Sequence, residues 1–502
     1  MKQNKFLIVF FLFLVALITL FLRLFNLRQT FLFVGDQGRD AMRVSQIWQE
    51  LNPPLIGPVT SMGNMYLPPW YYYLMAPALF LTYPDPLGPG LMVVILSSCG
   101  VMLVYFLGKK IFGSLVSLIA TFLMSVSFLS LTYSRFSWNP NLAPLFSLLV
   151  FYFVFLAFKK KQPKFYGWAF FFLGWLLSCH YVALLSLLTV LILMIIDFYH
   201  YLGQKKMSQF WHWLIICGLI LVLFFAPIFI FDLKHQGLNN KAWLSFFTKE
   251  TAFGQDKVWM ARWQQASREI RGRSLHVGYE LVFGKIKSLP ERYFAGLLIL
   301  IVLFTLLLQI KNRSLGLPVK ILLLFLFVGV MGLSFFQGSV YDHYLLYLLP
   351  LVFYAWGLTL NYWWNKNSWG QFCVMLFIGF YFYCNVNQWP LIGMDWTMDK
   401  VKKVSESVYQ KIYTNDYYDL ILISESKDWF GQNYRYFFST YSNKPTSFAQ
   451  RDKINKMIII DETKQGLSAL DPVPEWQVFG SKKILETWKP LNDGPMIYIL
   501  VK

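Results

Sequence analysis

The sequence predicts a membrane all-α protein: a polytopic helical bundle of about 11 spans followed by a small extracytoplasmic α/β domain. Three observations predict it. Apolar runs of about 20 residues, each long enough to cross a bilayer, recur from Phe6 to about Gln388. The chain is 56% hydrophobic and only 14% charged, whereas a soluble domain carries about 25% charged residues. Lys and Arg collect in alternate loops between the runs, as the positive-inside rule requires.

The first element is the run that follows Met1–Lys5. It extends to Phe25, is too long for a signal-peptide core and has no small-x-small cleavage site after it. It reads as an uncleaved first span with Lys2 and Lys5 inside. Further spans fall at 88–108, 112–132, 142–158, 165–179, 181–199, 210–231, 293–310, 321–337, 343–360 and 370–388, of which the 165–199 pair is short. The inside loops then carry Lys109–Lys110, Lys159–Lys161 with Lys164, Lys205–Lys206, Lys311 to Lys320 with Arg313, and Lys366. The alternating loops near 135–141, 180 and 338–342 carry only Arg135. The formal charge of +19 is therefore explained by topology, and nucleic acid is not an expected partner. The five cysteines fall in or beside apolar runs and give neither a disulfide framework nor metal spacing.

Three longer segments face outward: 26–87, 232–292 and the C-terminal stretch from Trp389. The division is a transmembrane domain over 1–390 and a soluble α/β domain over 391–502. In the latter, Val401–Tyr413 reads as an amphipathic helix, Gln432–Tyr441 as a second helix, and Asp419–Ser424, Lys456–Asp461 and Met496–Val501 as strands. No Gly-rich phosphate loop or nucleophile elbow is found there, and no catalysis is expected in it.

The residues that could carry chemistry cluster outside. Gly35-Asp36-Gln37-Gly38-Arg39-Asp40 follows the first span. Asp36 reads either as a helix cap or as a base kept ionised by Arg39, and Asp40 either as a solvated face or as part of the same site. Tyr66 and the stretch Leu67-Pro-Pro-Trp-Tyr71-Tyr-Tyr form an aromatic belt or a cavity wall on an interfacial helix. Ser134-Arg135-Phe-Ser-Trp138-Asn139-Pro-Asn141 is a short polar turn on the Asp36 side, and Arg135 there also fits simple snorkelling. His180 reads as a satisfied core residue or a functional one. In the 232–292 loop, Lys234, Lys241, Lys249, Lys257, Arg262, Arg268, Arg271, Arg273, Lys285, Lys287 and Arg292 suit phosphate oxygens, whether of substrate or of lipid headgroups. Tyr341-Asp342-His343-Tyr344 opens a late span, as a cap or as site lining.

In this order the pieces resemble the GT-C membrane glycosyltransferases, and within them the bacterial protein O-mannosyltransferase and lipid A aminoarabinose transferase group. The resemblance covers about residues 1–390 and rests on Asp36-Gln37-Gly38-Arg39, on Pro68-Pro69-Trp70-Tyr71-Tyr72-Tyr73 and on His343-Tyr344-Leu345 to Pro350. It implies a glycosyltransferase of the cell membrane. A sugar on a polyprenyl phosphate passes, with inversion and outside the cytoplasm, to a lipid, glycan or protein acceptor. Asp36 is then the catalytic base, and Arg39, Asp40, Tyr66, Tyr71, Arg135, Asn139, His180, Arg262, Arg271, Asp342 and His343 are the expected substrate contacts. Two departures bear on a cofactor. Gln37 stands where relatives carry a second acid, and Asn139 or Asn141 where many carry an Asp. A divalent ion, bound in some relatives, loses donors here, and the sequence supports no firm cofactor. The competing classes are a transporter or flippase for an anionic lipid, and a non-catalytic assembly protein. A transporter places its polar groups near the bilayer midplane, whereas here they avoid the span centres.

Overall fold

A computed structural model describes residues 5–502 except 62, 203–206, 249–258, 337, 394–395, 414–415, 426–427, 447, 464, 471–472 and 481–482. The basic positions Lys2, Lys205, Lys206, Lys249 and Lys257 lie outside the described residues.

Helix α1 (Lys5–Leu24) leads into α2 (Gly35–Gln49), the hairpin β1 (Val59–Thr60) and β2 (Gly63–Tyr66), and α3 (Trp70–Thr82), all at one end of the bundle. The bundle continues with α4 (Leu87–Ile111), α5 (Ser114–Val126), α6 (Phe128–Thr132), α7 (Ala143–Lys160), α8 (Lys164–Cys179), α9 (Leu184–Leu202) and α10 (Met207–Lys234). The basic loop forms α11 (Leu238–Thr248), α12 (Trp259–Leu275) and α13 (Leu281–Phe283). Helices α14 (Leu289–Ile310), α15 (Gly316–Ser334), α16 (Asp342–Leu345), α17 (Leu349–Trp364) and α18 (Ser368–Val386) complete the bundle. The C-terminal unit holds α19 (Met398–Tyr409), β3 (Tyr418–Ile423), α20 (Gln432–Thr440), β4 (Lys456–Asp461), α21 (Pro474–Phe479), β5 (Lys483–Trp488) and β6 (Met496–Val501).

Among the described residues, nine helices are long and apolar enough to cross a membrane, so the chain is a multi-pass membrane protein. All eleven predicted runs are helical over most of their length, but two fall short of the length of a span. The 165–179 run is the 16-residue α8. The 112–132 run breaks at Ser127, whose extended backbone (φ −60°, ψ 127°) separates α5 from α6. Backbone groups freed by such a break need partners inside a bundle. Here Asn385 Oδ1 accepts from Phe128 N (2.7 Å), Trp389 Nε1 donates to Val126 O (2.9 Å) and Arg23 Nη1 donates to Ser125 O (3.2 Å).

Burial separates centre from rim. The apolar window of Asp342–Trp364 is 89% buried and that of Asn139–Lys160 78%, against 22% for the outermost helices, so α17 and α7 form the axis of the bundle.

The C-terminal sheet has the order β3-β4-β6-β5, with β3 and β4 parallel and the other pairs antiparallel. Its alternation is that of a strand buried on both faces. Ile458 and Ile460 point towards α19 and α20, in one apolar cluster with Phe31, Phe33 and Tyr72, whereas Met457 and Ile459 pack with Trp476 and Phe479. The unit therefore shares its core with the bundle. Strand β5 was missed in the sequence because Lys483–Trp488 is an exposed edge strand with little apolar pattern.

Helix α20 lies directly on α2. A Cβ at Gly38 would fall 2.3 Å from Gln432 O and 2.4 Å from Asn433 N and Cα, all backbone atoms, so only glycine permits this approach. Tyr436 Oη adds a bond to Pro84 O (2.9 Å), and the Tyr436 and Phe437 rings pack on Phe33. Gly38→Val should lift α20 off α2. The expected result is faster proteolytic cleavage between the bundle and the C-terminal unit, with membrane insertion unchanged. Equal protease resistance in variant and wild type would contradict this packing argument.

Candidate active site

Asp36 sits in the first turn of α2, at the end of the bundle covered by the C-terminal unit. The helix starts there because Gln37 Oε1 turns back to accept from Val34 N (3.1 Å), closing the first turn. The Asp36 side chain is 43% exposed and that of Arg39 24%. Its two oxygens are separately engaged: Arg39 Nη1 donates to Oδ1 (2.7 Å) and Trp138 Nε1 to Oδ2 (3.1 Å).

Arg39 holds a second carboxylate from its other side. Its Nε and Nη2 both donate to Asp40 Oδ1 (2.9 and 2.7 Å), and Tyr72 Oη donates to the same oxygen (3.1 Å). Asp40 is buried. Burial, with repulsion from Asp36, pushes its carboxyl up to about 6 although Arg39 pulls the other way. Burial, with Asp40 beside it, raises Tyr72 well above the ordinary tyrosine value, so Tyr72 remains a donor.

The Trp138 ring extends the site to the late span, 4.6 Å from the His343 ring. His343 in turn lies 5.7 Å from His180, whose ring is 4.7 Å from Tyr344. His180 Nδ1 accepts from Val182 N (3.1 Å), and burial with His343 nearby holds the imidazole down at about 3, so it is neutral. Next to His343, Asp342 Oδ1 lies 2.7 Å from His276 Nε2, and Lys285 is close enough to act on that carboxylate. Asp428 of the C-terminal unit closes the opposite side. Its Oδ2 would lie 2.3 Å from a Cβ on Gly35, and burial together with Asp36 raises its carboxyl.

The structure thus brings Asp36, Arg39, Asp40, His180, Asp342 and His343 to one end of the bundle, and it changes several expected roles. Arg135 is 2% exposed and does not face the opening. Its Nη1 donates to Leu22 O (2.7 Å) and Arg23 O (3.0 Å), and its Nη2 to Phe25 O (2.9 Å) and Thr30 Oγ1 (2.5 Å). It caps the C-terminus of α1 rather than binding substrate. Asn139 is buried, with Nδ2 on Cys179 O (2.6 Å), and ties the turn to the end of α8. Asp40 is too buried for a substrate contact. Tyr71 is buried with its hydroxyl on Ser137 Oγ (2.6 Å), so it supports the turn behind Trp138. Tyr66 stands apart, bonded through its backbone to Asn239 and Tyr181. Arg271 is exposed on α12, and the Arg262 side chain lies outside the described residues.

Trp138, Tyr72, His276 and Asp428 were not among the expected site residues. Trp138 meets Asp36 across 102 positions and His276 meets Asp342 across 66. Trp138, between Arg135 and Asn139 in a turn already under suspicion, and Tyr72, within the Pro68–Tyr73 stretch, offered a signal; His276 and Asp428 offered none.

Several of the donors that a cation could have used are engaged within the protein. Gln37 is spent on its own helix cap, Asn139 on Cys179 and Asn141 Nδ2 on Phe136 O, while Arg39 occupies the carboxylates. Among the described residues no group of three or more His, Cys, Asp or Glu side chains converges.

A long apolar groove reaches this end of the molecule. It measures about 600 Å³ and runs between α12, α14, α15 and α17, from Ser274, Val277 and Gly278 near His276 down to Ile310 and Lys320.

This arrangement, a polar site at one end of a helical bundle under a small α/β unit, is the fold of the GT-C membrane glycosyltransferases. Residues 67–231 match the family described as dolichyl-phosphate-mannose-protein mannosyltransferase. The chain is similar over its whole length to ArnT from Cupriavidus metallidurans, in the apo state (11% identity, TM-score 0.62, covering 99% of this chain and 98% of that one). It is likewise similar to that protein bound to undecaprenyl phosphate (10% identity, TM-score 0.60, covering 99% and 98%). The apo oligosaccharyltransferase of Archaeoglobus fulgidus is also similar (11% identity, TM-score 0.51, covering 91% of this chain and 70% of that one). No curated protein matches the sequence. The resemblance read from the motifs therefore holds.

Two expected outcomes follow from the geometry. Arg135→Ala leaves buried carbonyls at the end of α1 unpaired and should cost about 2–4 kcal/mol, read as a lower thermal unfolding midpoint in detergent. Trp138→Phe keeps the ring beside His343 but removes the bond to Asp36. It should leave that midpoint in place and lower turnover about tenfold.

Proposed function

We propose that the chain transfers a sugar from a polyprenyl-phosphate donor to a hydroxyl acceptor at the extracytoplasmic face of the cell membrane, with inversion and with Asp36 as general base. The observation that carries this reading is the placement of Asp36. It is a half-exposed carboxylate, held by Arg39 and Trp138, at the end of the bundle where an apolar groove opens.

In the reaction the acceptor oxygen bonds to the anomeric carbon as the bond from that carbon to the phosphate oxygen breaks. Asp36 receives the acceptor proton. The transition state is oxocarbenium-like, and the departing phosphate needs charge stabilisation rather than a proton. Among the described residues, Lys285, exposed and close enough to act on Asp342, is a cation available for that purpose. The groove suits a polyprenyl chain, being lined almost wholly by apolar side chains such as Ile299, Leu306, Phe327 and Val330. A lipid-carrier donor is in keeping with the structural relative solved with undecaprenyl phosphate. No step runs through a metal, because the candidate donors are engaged elsewhere. A flippase would have to carry the phosphate through this apolar groove, at the cost of an unpaired charge in hydrocarbon.

Asp36→Asn should reduce product formation by about 100-fold or more while binding of polyprenyl phosphate persists. Mass spectrometry of membrane lipids and surface glycans, with and without the gene, identifies the product. Transfer that persists in Asp36→Asn while a transport step is lost would sink the enzyme reading.

A further inference from the structure

Asp40 is the most constrained ionisable group near the site, and substrate contact does not explain it. It is 4% exposed, yet its Oδ1 gathers three donors: Arg39 Nε, Arg39 Nη2 and Tyr72 Oη. Its Oδ2 has no hydrogen-bond partner among the described residues, and Asp40 lines a space of about 10 Å³ with Gln37, Tyr71 and Ser137. Arg39 thus sits between two carboxylates and uses different edges for each. The Nε–Nη2 edge goes to the buried Asp40, and the single Nη1 goes to the half-exposed Asp36.

We propose that Asp40 is a positioning residue for the base: its buried carboxylate fixes and neutralises Arg39, so that the guanidinium orients Asp36 through Nη1 without quenching it. This rests on the reading of Asp36 as base and adds to it a residue that touches no substrate. A carboxylate facing an uncompensated guanidinium is a poor proton acceptor, because the positive charge favours its anion. With Asp40 ionised, the Arg39–Asp40 pair is neutral and Asp36 keeps its proton affinity. With Asp40 protonated, the whole Arg39 charge falls on Asp36. Tyr72 belongs to the device, since its hydroxyl bonds the ionised form and favours it. The charged and titratable groups facing Asp40 are Arg39 and Asp36 from α2 and Tyr71 and Tyr72 from α3. Burial places the Asp40 titration near 6, so the arrangement holds above that pH and is lost as pH falls through it.

The test uses the full chain in proteoliposomes, wild type and three variants: Asp36→Asn, Asp40→Asn and Tyr72→Phe. Infrared titration reads Asp40 as the carboxylic C=O band present in wild type and missing from Asp40→Asn, which separates it from Glu462, whose carboxyl burial raises to about 7. Wild type and Asp36→Asn should show a band titrating in the region of pH 6, Asp40→Asn should lack it, and Tyr72→Phe should shift it to higher pH. Turnover is read as release of undecaprenyl phosphate from a panel of undecaprenyl-phosphate-linked hexoses and pentoses, with total envelope lipid as the acceptor pool. Asp40→Asn should lower kcat about tenfold with donor KM unchanged, and should lose the acid limb of the wild-type profile. Tyr72→Phe, which removes a single hydrogen bond, should move that limb to higher pH and so guards against a folding defect. An Asp40→Asn enzyme with wild-type kcat and acid limb, or a wild-type-minus-Asp40→Asn difference spectrum without a band titrating near pH 6, overturns the inference. Turnover retained by Asp36→Asn overturns instead the reading of Asp36 as base, on which the inference rests.

Discussion

The clamp of Arg135 on the end of α1 is the contact on which the rest of the site depends. A helix that stops inside a bundle leaves carbonyls without partners, and in this setting no water makes up the loss. Arg135 supplies donors to Leu22, Arg23 and Phe25 at one stroke, and its charge is balanced by the negative end of the helix rather than by a carboxylate. The same guanidinium fixes Thr30, so the chain leaves α1 in one direction and reaches Gly35 in place to begin α2. It also anchors the 134–138 turn, and that turn brings Trp138 onto Asp36. One buried cation therefore sets both the origin of α2 and the position of Trp138, the partner of Asp36.

Upon that base the site is assembled from groups that share partners. Arg39 serves two carboxylates, Trp138 joins Asp36 to His343, and His276 holds Asp342 beside it. The C-terminal unit does more than cover the opening. Its α20 can approach α2 only because Gly38 has no side chain, and this contact carries Asp428 to the N-terminus of α2. The positions that depart from the family pattern have not lost their use. Gln37 starts the helix by accepting from Val34 N, and Asn139 fastens the turn by donating to Cys179 O, a bond that an ionised acid at that place could not donate.

The apolar spans, the strands β3, β4 and β6, and helices α19 and α20 were legible because each carries a strong period or an unbroken apolar run. The break at Ser127 was not, because nothing in Lys110 to Tyr133 interrupts the hydropathy; the partners that permit it, Asn385 and Trp389, lie far along the chain. Strand β5 was hidden for the opposite reason, having too little apolar character to announce itself. Within the site, Asp36 and Arg39 stood out through their local spacing. Arg135, Asn139, Tyr71 and Asp40 stood among the expected substrate contacts, but a residue type does not disclose whether its polar end faces a substrate or a carbonyl.

By itself the sequence determined that the chain crosses the membrane many times, which loops share a side, and that an acidic and basic motif follows the first span. These are consequences of the free energy of moving each segment between water and hydrocarbon, a property nearly local to that segment. The tertiary structure alone decided the partners. It sent Arg135 to α1, Trp138 to Asp36 and α20 to α2, and it buried Asp40 while leaving Asp36 half open. Burial and hydrogen-bond satisfaction depend on which remote segments come together. For this reason two aspartates four residues apart on one helix finish with different environments and different work.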